Sequence, residues 1–153
     1  VDEKPTDSFL YMLAMNTFTM NTSMNPFENT LSSDKLFNKQ AEVIQEIADK
    51  DDCIIVGRCA GYILRDEPKC VRIYISADKD FRTKRIMASD HLDEKEAQKK
   101  IHSMDKKRDS YFGYYAGQDW KACHTYDLSI STSALGIDKA VDLICQYIDI
   151  KFK

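Results

Sequence analysis

The sequence predicts an α/β fold with a parallel sheet flanked by helices. Three short segments, at residues 53–56, 71–75 and 128–131, have the length and composition of strands, and the first of them is an uninterrupted apolar run. Amphipathic segments separate them, and strands that alternate with helices pair in parallel. A length of 153 residues with 43% hydrophobic content supports one domain with its own core.

The first third of the chain is predicted to hold two helices and a loop. Residues 7–15 form a short helix, and residues 16–29, which are polar, lack a helical period and include Pro26, form a loop or mobile flap. Asp34 then caps a helix. Its apolar positions recur at helical spacing and are Leu36, Phe37, Ala41, Ile44, Ile47 and Ala48.

The remaining elements alternate between strand and helix. A helix follows the strand at residues 71–75, beginning within residues 76–78 and continuing through Met87. Asp93 and Glu96 have the spacing of a capping box, which predicts that a long helix begins at residue 94. The strand at residues 128–131 leads through Gly136 to a closing amphipathic helix with Ile137, Val141, Ile144 and Ile148.

Composition excludes several classes of protein. Five cysteines without a Cys-x-x-Cys pair, of which Cys53 and Cys145 lie in apolar runs, predict reduced and mostly buried thiols in a cytoplasmic protein. No apolar stretch or leader indicates membrane insertion or secretion. A net charge of -3 argues against a nucleic acid polymer as partner. The sequence leaves open whether the protein forms a homo-oligomer. The three histidines are too scattered for a metal site and are interpreted as surface residues: His91, His102 and His124.

The first candidate site residue is Arg58. It follows the apolar run at residues 53–56 within Gly57-Arg58-Cys59-Ala60. Ligands of doubly wound sheets bind beyond the carboxyl ends of the strands, so this position suits a phosphate or carboxylate. The alternative is a solvated arginine in a surface turn.

Arg108 is the second candidate, because it interrupts the apolar face of the long helix. Asp105 lies three residues earlier and can hold its guanidinium by an i,i+3 pair. The head of Arg108 either reaches water along an apolar surface or enters a cleft. Lys106 and Lys107 stand beside it, and these lysines belong either to an anion site or to a solvated helix face. The apolar positions of that face are Ala97, Ile101, Met104, Tyr111 and Tyr115.

Arg82 and Arg85 add two cations one turn apart on the preceding helix. Like charges at that spacing repel mildly, so a visiting anion would stabilise them. Alternatively they form a solvated face that Asp78 and Asp80 neutralise.

Together these features resemble the cytidylate kinase-like branch of the nucleoside monophosphate kinases. The order and spacing of several segments carry the resemblance, which covers residues 34 to 148 and also residues 1–13. They are Gly57-Arg58-Cys59-Ala60, residues 71–86, Asp105-Lys106-Lys107-Arg108 with the tyrosines that follow, Tyr126-Asp127-Leu128, and residues 132–137.

The resemblance implies a P-loop NTPase fold, with a three-layer parallel sheet, a helical lid and a single domain over residues 1–153. Residues 1–33 would be an acceptor-side flap and residues 89–120 the lid. It implies transfer of a phosphoryl group from ATP, with Mg²⁺, to CMP. The implied catalytic residues are Arg108, Lys107 and Arg85, the substrate-binding residues Arg58, Lys106 and Asp105, and the ATP-side residues Arg85 and Arg82, with no metal ligand assigned.

Two departures from the family pattern bear on this function. The five glycines, Gly57, Gly61, Gly113, Gly117 and Gly136, form no phosphate loop, so we expect the chain to be N-terminally incomplete or the gap to be filled by another segment. Cys59 stands where better-known family members have an aspartate, which leaves uridine, deoxycytidine or non-nucleotide acceptors open. The alternative function is a non-catalytic, kinase-derived module that binds a nucleotide or a protein, with residues 111–115 and Trp120 as an interface.

Overall fold

The computed structural model describes residues 26–153, with side chains from residue 33 onward. The predicted helix at residues 7–15 and most of the predicted flap lie outside this range. The chain divides into two compact units, Val1–Gln40 and Ala41–Lys153. The sheet and the candidate site both belong to the second unit.

The first described helix, α1, is longer than the sequence analysis predicts. It spans Pro26–Lys50, so Asp34 lies inside it and the prediction that Asp34 caps the helix is wrong. Residues 26–29 are also helical and not part of a loop. Proline at the first position of a helix costs no hydrogen bond and brings a suitable φ, and neither glycine nor proline recurs before Gly57 to stop the helix.

The predicted strand at residues 53–56 is wrong. These residues have no regular structure, and Ile54 is 96% and Val56 88% exposed. A strand is defined by hydrogen bonds to a neighbour, and no described residue pairs with this segment. A turn at residues 57–59 leads from it into the short helix α2, Ala60–Ile63.

Two parallel strands form the sheet of the described region. Strand β1 spans Ile73–Ser76, and β2 spans Leu128–Ser131 as predicted, with Ile73 opposite Leu128. β1 begins two residues later than predicted. The N–H of Arg72 donates to a carboxylate oxygen of Asp127 at 2.7 Å instead of to a neighbouring strand, which explains the later start.

Two capped helices, α3 and α4, lie between the strands in sequence. Helix α3 spans Lys79–Asp90, three residues beyond its predicted end, and the Asp78 side chain accepts from the N–H of Phe81 at 2.8 Å. Helix α4 spans Glu94–Ala116, and its predicted start is confirmed. Asp93 accepts from the N–H of Glu96 at 2.8 Å, and Glu96 accepts from the N–H of Asp93 at 3.2 Å, which completes the capping box.

After a 3-10 turn at Cys123–Thr125 and β2, the chain ends in α5, Thr132–Leu135, and the predicted closing helix α6, Ile137–Phe152. The buried apolar residues after α1 come from α2, α4, β2 and α6. They are Ala60, Ala97, Ile101, Ala116, Ile130 and Ala140, together with Cys59 in the turn before α2. The architecture is therefore a helix-rich α/β fold with a small parallel sheet. None of the described helices is long and apolar enough to cross a membrane.

The cysteines are unpaired, as predicted, but most are not buried. Cys53, Cys123 and Cys145 are exposed, Cys70 is half-buried and Cys59 alone is buried, so the prediction of mostly buried thiols is wrong. Residues 53–56 form no strand that would cover Cys53, and Cys145 lies on a side of α6 away from buried Ala140. All three histidines are exposed, as predicted.

Candidate functional site

The centre of the candidate site is a carboxylate shared by two arginines, here called the Asp105 cluster: Arg82, Asp105 and Arg108. Arg82 of α3 donates from Nη1 to Asp105 Oδ2 at 2.8 Å and from Nη2 to Oδ1 at 2.6 Å. Arg108 Nη1 lies 3.4 Å from Oδ1, so the predicted i,i+3 pair is present. The alternative, in which Asp78 and Asp80 neutralise Arg82, is wrong, because Arg82 binds Asp105 and Asp78 caps α3.

Burial and charge distinguish the three members of this cluster. The side chain of Asp105 is 19% exposed, whereas that of Arg108 is 53% exposed. The hydrogen bonds from Arg82 hold the pKa of Asp105 below its usual value, although burial opposes them. The cluster carries a net positive charge, and the exposed head of Arg108 is accessible to an anion.

Arg58 lies in a strained turn that follows the unpaired segment. Gly57, Arg58 and Cys59 have φ values of 78°, 54° and 56°, which place all three in the left-handed region. A residue with a Cβ costs about 1–2 kcal/mol in this conformation, and such strain concentrates at functional sites. The N–H of Ala60 closes the turn by donating to the carbonyl of Gly57 at 3.0 Å.

Tyr111 connects Arg58 to α4. The guanidinium carbon of Arg58 lies 5.9 Å from the centroid of the Tyr111 ring. Burial raises the pKa of Tyr111, and a hydrogen bond from Arg58 acts in the opposite direction. Because Tyr111 follows Arg108 by three residues, Arg58 and Arg108 approach neighbouring turns of the same helix.

Three predicted site residues lie at the periphery. Arg85 is exposed on α3 and forms no ion pair with any other residue that the structure describes. Lys106 and Lys107 are exposed on α4 between Asp105 and Arg108. Part of the basic surface nearby is neutralised, since Lys100 binds Asp90 at 2.6 Å.

Three aromatic residues pack beside the Asp105 cluster, and the sequence analysis, which names Trp120 and Tyr126, missed their contacts with Tyr74. The Tyr74 ring lies 5.0 Å from that of Tyr126 and 5.6 Å from that of Trp120, and the Tyr126 hydroxyl donates to the Trp120 carbonyl at 2.6 Å. Burial, followed by the charge of Asp105, raises the pKa of Tyr74. The alternation of side chains along β1 could have indicated this group, because it places Tyr74 on the opposite face of the sheet from Ile73 and Ile75.

Hydroxyl groups cross-link the carboxyl ends of the two strands, and the sequence analysis missed these too. Ser76 Oγ donates to the carbonyl of Ile130 at 3.1 Å, and Thr132 Oγ1 donates to the carbonyl of Ser76 at 3.0 Å. Ser133 Oγ accepts from the N–H of Asp78 at 3.0 Å. The start of α3 is thereby fixed to the end of β2, which helps to place Arg82.

A solved structure shares this fold. It is described as a crystal structure of an uncharacterized protein from Eubacterium ventriosum ATCC 27560. Its chain is 37% identical to this one, with a TM-score of 0.73, and the match covers 76% of this chain and 73% of that chain. The likeness shows that the two chains share this α/β fold over about three quarters of each chain.

The chain belongs to the cytidylate kinase-like family, as the sequence analysis predicts. The family model matches residues 1–134. Curated relatives named cytidylate kinase include those of Sulfolobus acidocaldarius, 31% identical over 67% of this chain and 56% of the relative, and Methanoculleus marisnigri, 27% identical over 72% and 59%. A third, from Desulfurococcus amylolyticus, is 29% identical over 69% of this chain and 57% of the relative. The chain therefore spans less than two thirds of the length of these relatives.

Proposed function

We propose that the protein is a nucleoside monophosphate kinase that transfers the γ-phosphoryl group of ATP to CMP. The family and the relatives named cytidylate kinase support this activity. The observation that carries the proposal is the arrangement of three arginines along α4. Arg82 and Arg108 meet at Asp105, and Arg58 lies on Tyr111 one turn further along.

Phosphoryl transfer suits these residues, because two mutually repelling polyanions must be held in line. Guanidinium groups bind phosphate oxygens through several N–H donors and neutralise charge that develops in the transition state. In this proposal Arg58 and Lys106 serve the acceptor, Arg85 and Arg82 serve ATP, and Asp105 holds Arg82. Arg108 and Lys107, with Arg85, act on the transferring group.

Lid closure belongs to the same proposal. Residues 89–120 would close over the nucleotides, exclude water and so limit hydrolysis of ATP. The exposed cations of α4 lie in this region, where closure would move them toward phosphate. A three-layer sheet with a P-loop would complete the fold around them.

The donor set fits nucleotide phosphates better than a bare metal ion. Among the side chains described, from residue 33 onward, no group of three His, Cys, Asp or Glu could hold a metal ion, and Asp105 is already bound by two arginines. Mg²⁺ is commonly bound through substrate phosphates, so it would arrive with ATP and offset charge on the transferring group. Arg82 and Arg85 are the side chains proposed to hold those phosphates.

Cys59 governs which acceptors have to be tested. Burial raises the pKa of its thiol to about 11 even though Arg58 acts in the opposite direction, so the group stays neutral. A thiol is a weak donor and a weak acceptor, and it reads a base less strictly than a carboxylate does. The acceptor panel therefore contains UMP and dCMP beside CMP. Unpaired cysteines also support a reducing, cytoplasmic location.

Steady-state kinetics on the full-length protein test the proposal. Arg58→Ala is expected to raise the KM for the acceptor by about tenfold or more, because it removes a charge-assisted phosphate contact. The matched control is Arg65→Ala, which removes an exposed arginine stacked on Tyr62 at 4.5 Å and should leave the KM unchanged. Equal KM values in both variants would show that Arg58 does not meet the acceptor.

A further inference from the structure

Two ion pairs connect α3 to α4, and they differ in construction. Arg82 binds Asp105 through two parallel hydrogen bonds, and Arg108 approaches the same carboxylate. Asp90 binds Lys100 through a single contact at 2.6 Å, in which the lysine side chain is 50% exposed. Only in the first pair is the carboxylate shared by an arginine of α3 and an arginine of α4.

The geometry constrains Arg82 more than Arg108. Two hydrogen bonds of 2.8 and 2.6 Å fix the plane of the Arg82 guanidinium, while each terminal nitrogen keeps a second N–H and Nε keeps its own. The contact of Arg108 is longer, at 3.4 Å, and its side chain is more exposed. An anion can therefore draw Arg108 away at little cost.

Asp105 itself is poorly placed to serve a second partner. Its side chain is only 19% exposed and each of its oxygens already accepts from Arg82. Leaving a largely buried carboxylate without a cation is costly, so Asp105 keeps Arg82 when Arg108 leaves. Tyr74 adds to this environment, since the charges of Asp105 and Arg82 both affect its pKa.

We propose that Asp105 is a positioning residue that acts through Arg82 and does not contact the acceptor. This inference rests on the proposed function, in which Arg82 meets a nucleotide phosphate. Asp105 fixes the orientation of the remaining N–H donors of Arg82 before the nucleotide binds, and it leaves Arg108 able to move. The expected contribution is to the transfer step, because a donor fixed in advance needs no reorganisation during the reaction.

A double-mutant cycle in the full-length protein tests this assignment. Asp105→Asn is expected to lower kcat by about 10- to 100-fold, since a small misplacement of a catalytic group has effects of that size, and to change the acceptor KM less than about threefold. Once Arg82 is replaced by alanine, Asp105→Asn should have an effect smaller than about threefold, because residues that act as a unit are not additive. A raised acceptor KM that persists in the Arg82→Ala background would overturn the proposal. The double variant also removes both charges, which avoids an unpaired buried group if Asp105→Asn alone folds poorly.

Asp90→Asn is the matched control, because it removes one carboxylate and one α3–α4 ion pair away from the cluster. Because Asp90 lies in the proposed lid but pairs with a half-exposed lysine, the kcat of this variant should fall by less than about threefold. An equal loss of kcat in both variants would show that Asp105 only holds α3 against α4, and it would overturn the proposal.

Calorimetric binding of inorganic tripolyphosphate separates this inference from the proposed function. Asp105→Asn frees Arg82 and should increase the affinity at least threefold above that of Asp90→Asn, which has the same net charge. Unchanged affinity would overturn the role of Asp105 even in an active kinase. Absence of kinase activity with the expected gain in affinity would instead count against the proposed function alone.

Discussion

Asp127→Asn is expected to destabilise the fold without altering the candidate site. Asp127 precedes β2 and accepts three hydrogen bonds from Arg72: from its N–H at 2.7 Å, from Nε at 3.2 Å and from Nη2 at 3.2 Å. Lys151 Nζ of α6 lies 3.9 Å from Oδ1, the oxygen that also accepts from Nη2 of Arg72. These contacts join the amino ends of both strands to the last helix, at the opposite end of the sheet from the start of α3.

The magnitude follows from the number of contacts and their exposure. A hydrogen bond to a charged group contributes about 1.5–3 kcal/mol, and an asparagine can keep the one from the Arg72 N–H. The side chains of Arg72 and Asp127 are 34% and 19% exposed, so water screens part of the rest. We expect a loss of about 2 kcal/mol in the free energy of unfolding, and a Tm lower by about 4–8 °C for a domain of this size.

The loss should depend on pH. Hydrogen bonds from Arg72 lower the pKa of Asp127 in the folded protein. A carboxylate with a lowered folded-state pKa stabilises the protein above its unfolded pKa of about 3.9, and that stabilisation disappears as the pH falls through the folded value. The difference between the wild type and Asp127→Asn is therefore full at about pH 7 and shrinks in strong acid.

Urea denaturation at both pH values measures these differences, with Asp149→Asn as the control. Asp149 pairs with Lys153 at 3.4 Å on α6, but both side chains are mostly exposed, so its removal should cost less than about 0.5 kcal/mol. Equal losses in the two variants near neutral pH, or a difference for Asp127→Asn that persists in acid, would refute the reasoning.

Two further predictions concern a helix end and the transfer step. His91 ends α3 with a φ of 55°, so His91→Gly should stabilise the protein by about 0.5–1 kcal/mol in thermal unfolding. His102→Gly, at an exposed position inside α4, should instead destabilise the protein by about 0.5–1 kcal/mol. Stability changes of the same sign in both variants would contradict the prediction. Arg108→Ala should lower kcat by about 100-fold or more while raising either KM much less, as measured by initial rates. A change confined to KM would place Arg108 in ground-state binding instead.

Local signals predicted the parts of the fold that local chemistry determines. The capping box at Asp93 and Glu96 located the start of α4, and the spacing of Asp105 and Arg108 predicted their contact. Both depend on residues within one helical turn. The Arg82 to Asp105 pair joins residues 23 positions apart on different helices, so only the packing of α3 on α4 could reveal it.

Strand propensity failed where the outcome depends on a neighbour. Residues 53–56 are more apolar than β2, yet no described strand pairs with them, and Ile54 is exposed. β1 was misplaced at its start because a side chain, that of Asp127, takes the N–H of Arg72. The aromatic contacts of Tyr74 with Trp120 and Tyr126 likewise arise from tertiary packing that no single segment encodes.

The most direct test of the account is to identify the products when the full-length protein is incubated with ATP, Mg²⁺ and CMP. Chromatographic separation of the nucleotides should show CDP and ADP formed in equal amounts, with less CDP after Arg108→Ala. ADP without CDP, or binding of both nucleotides without turnover across the acceptor panel, would contradict a nucleoside monophosphate kinase and favour a nucleotide-binding module.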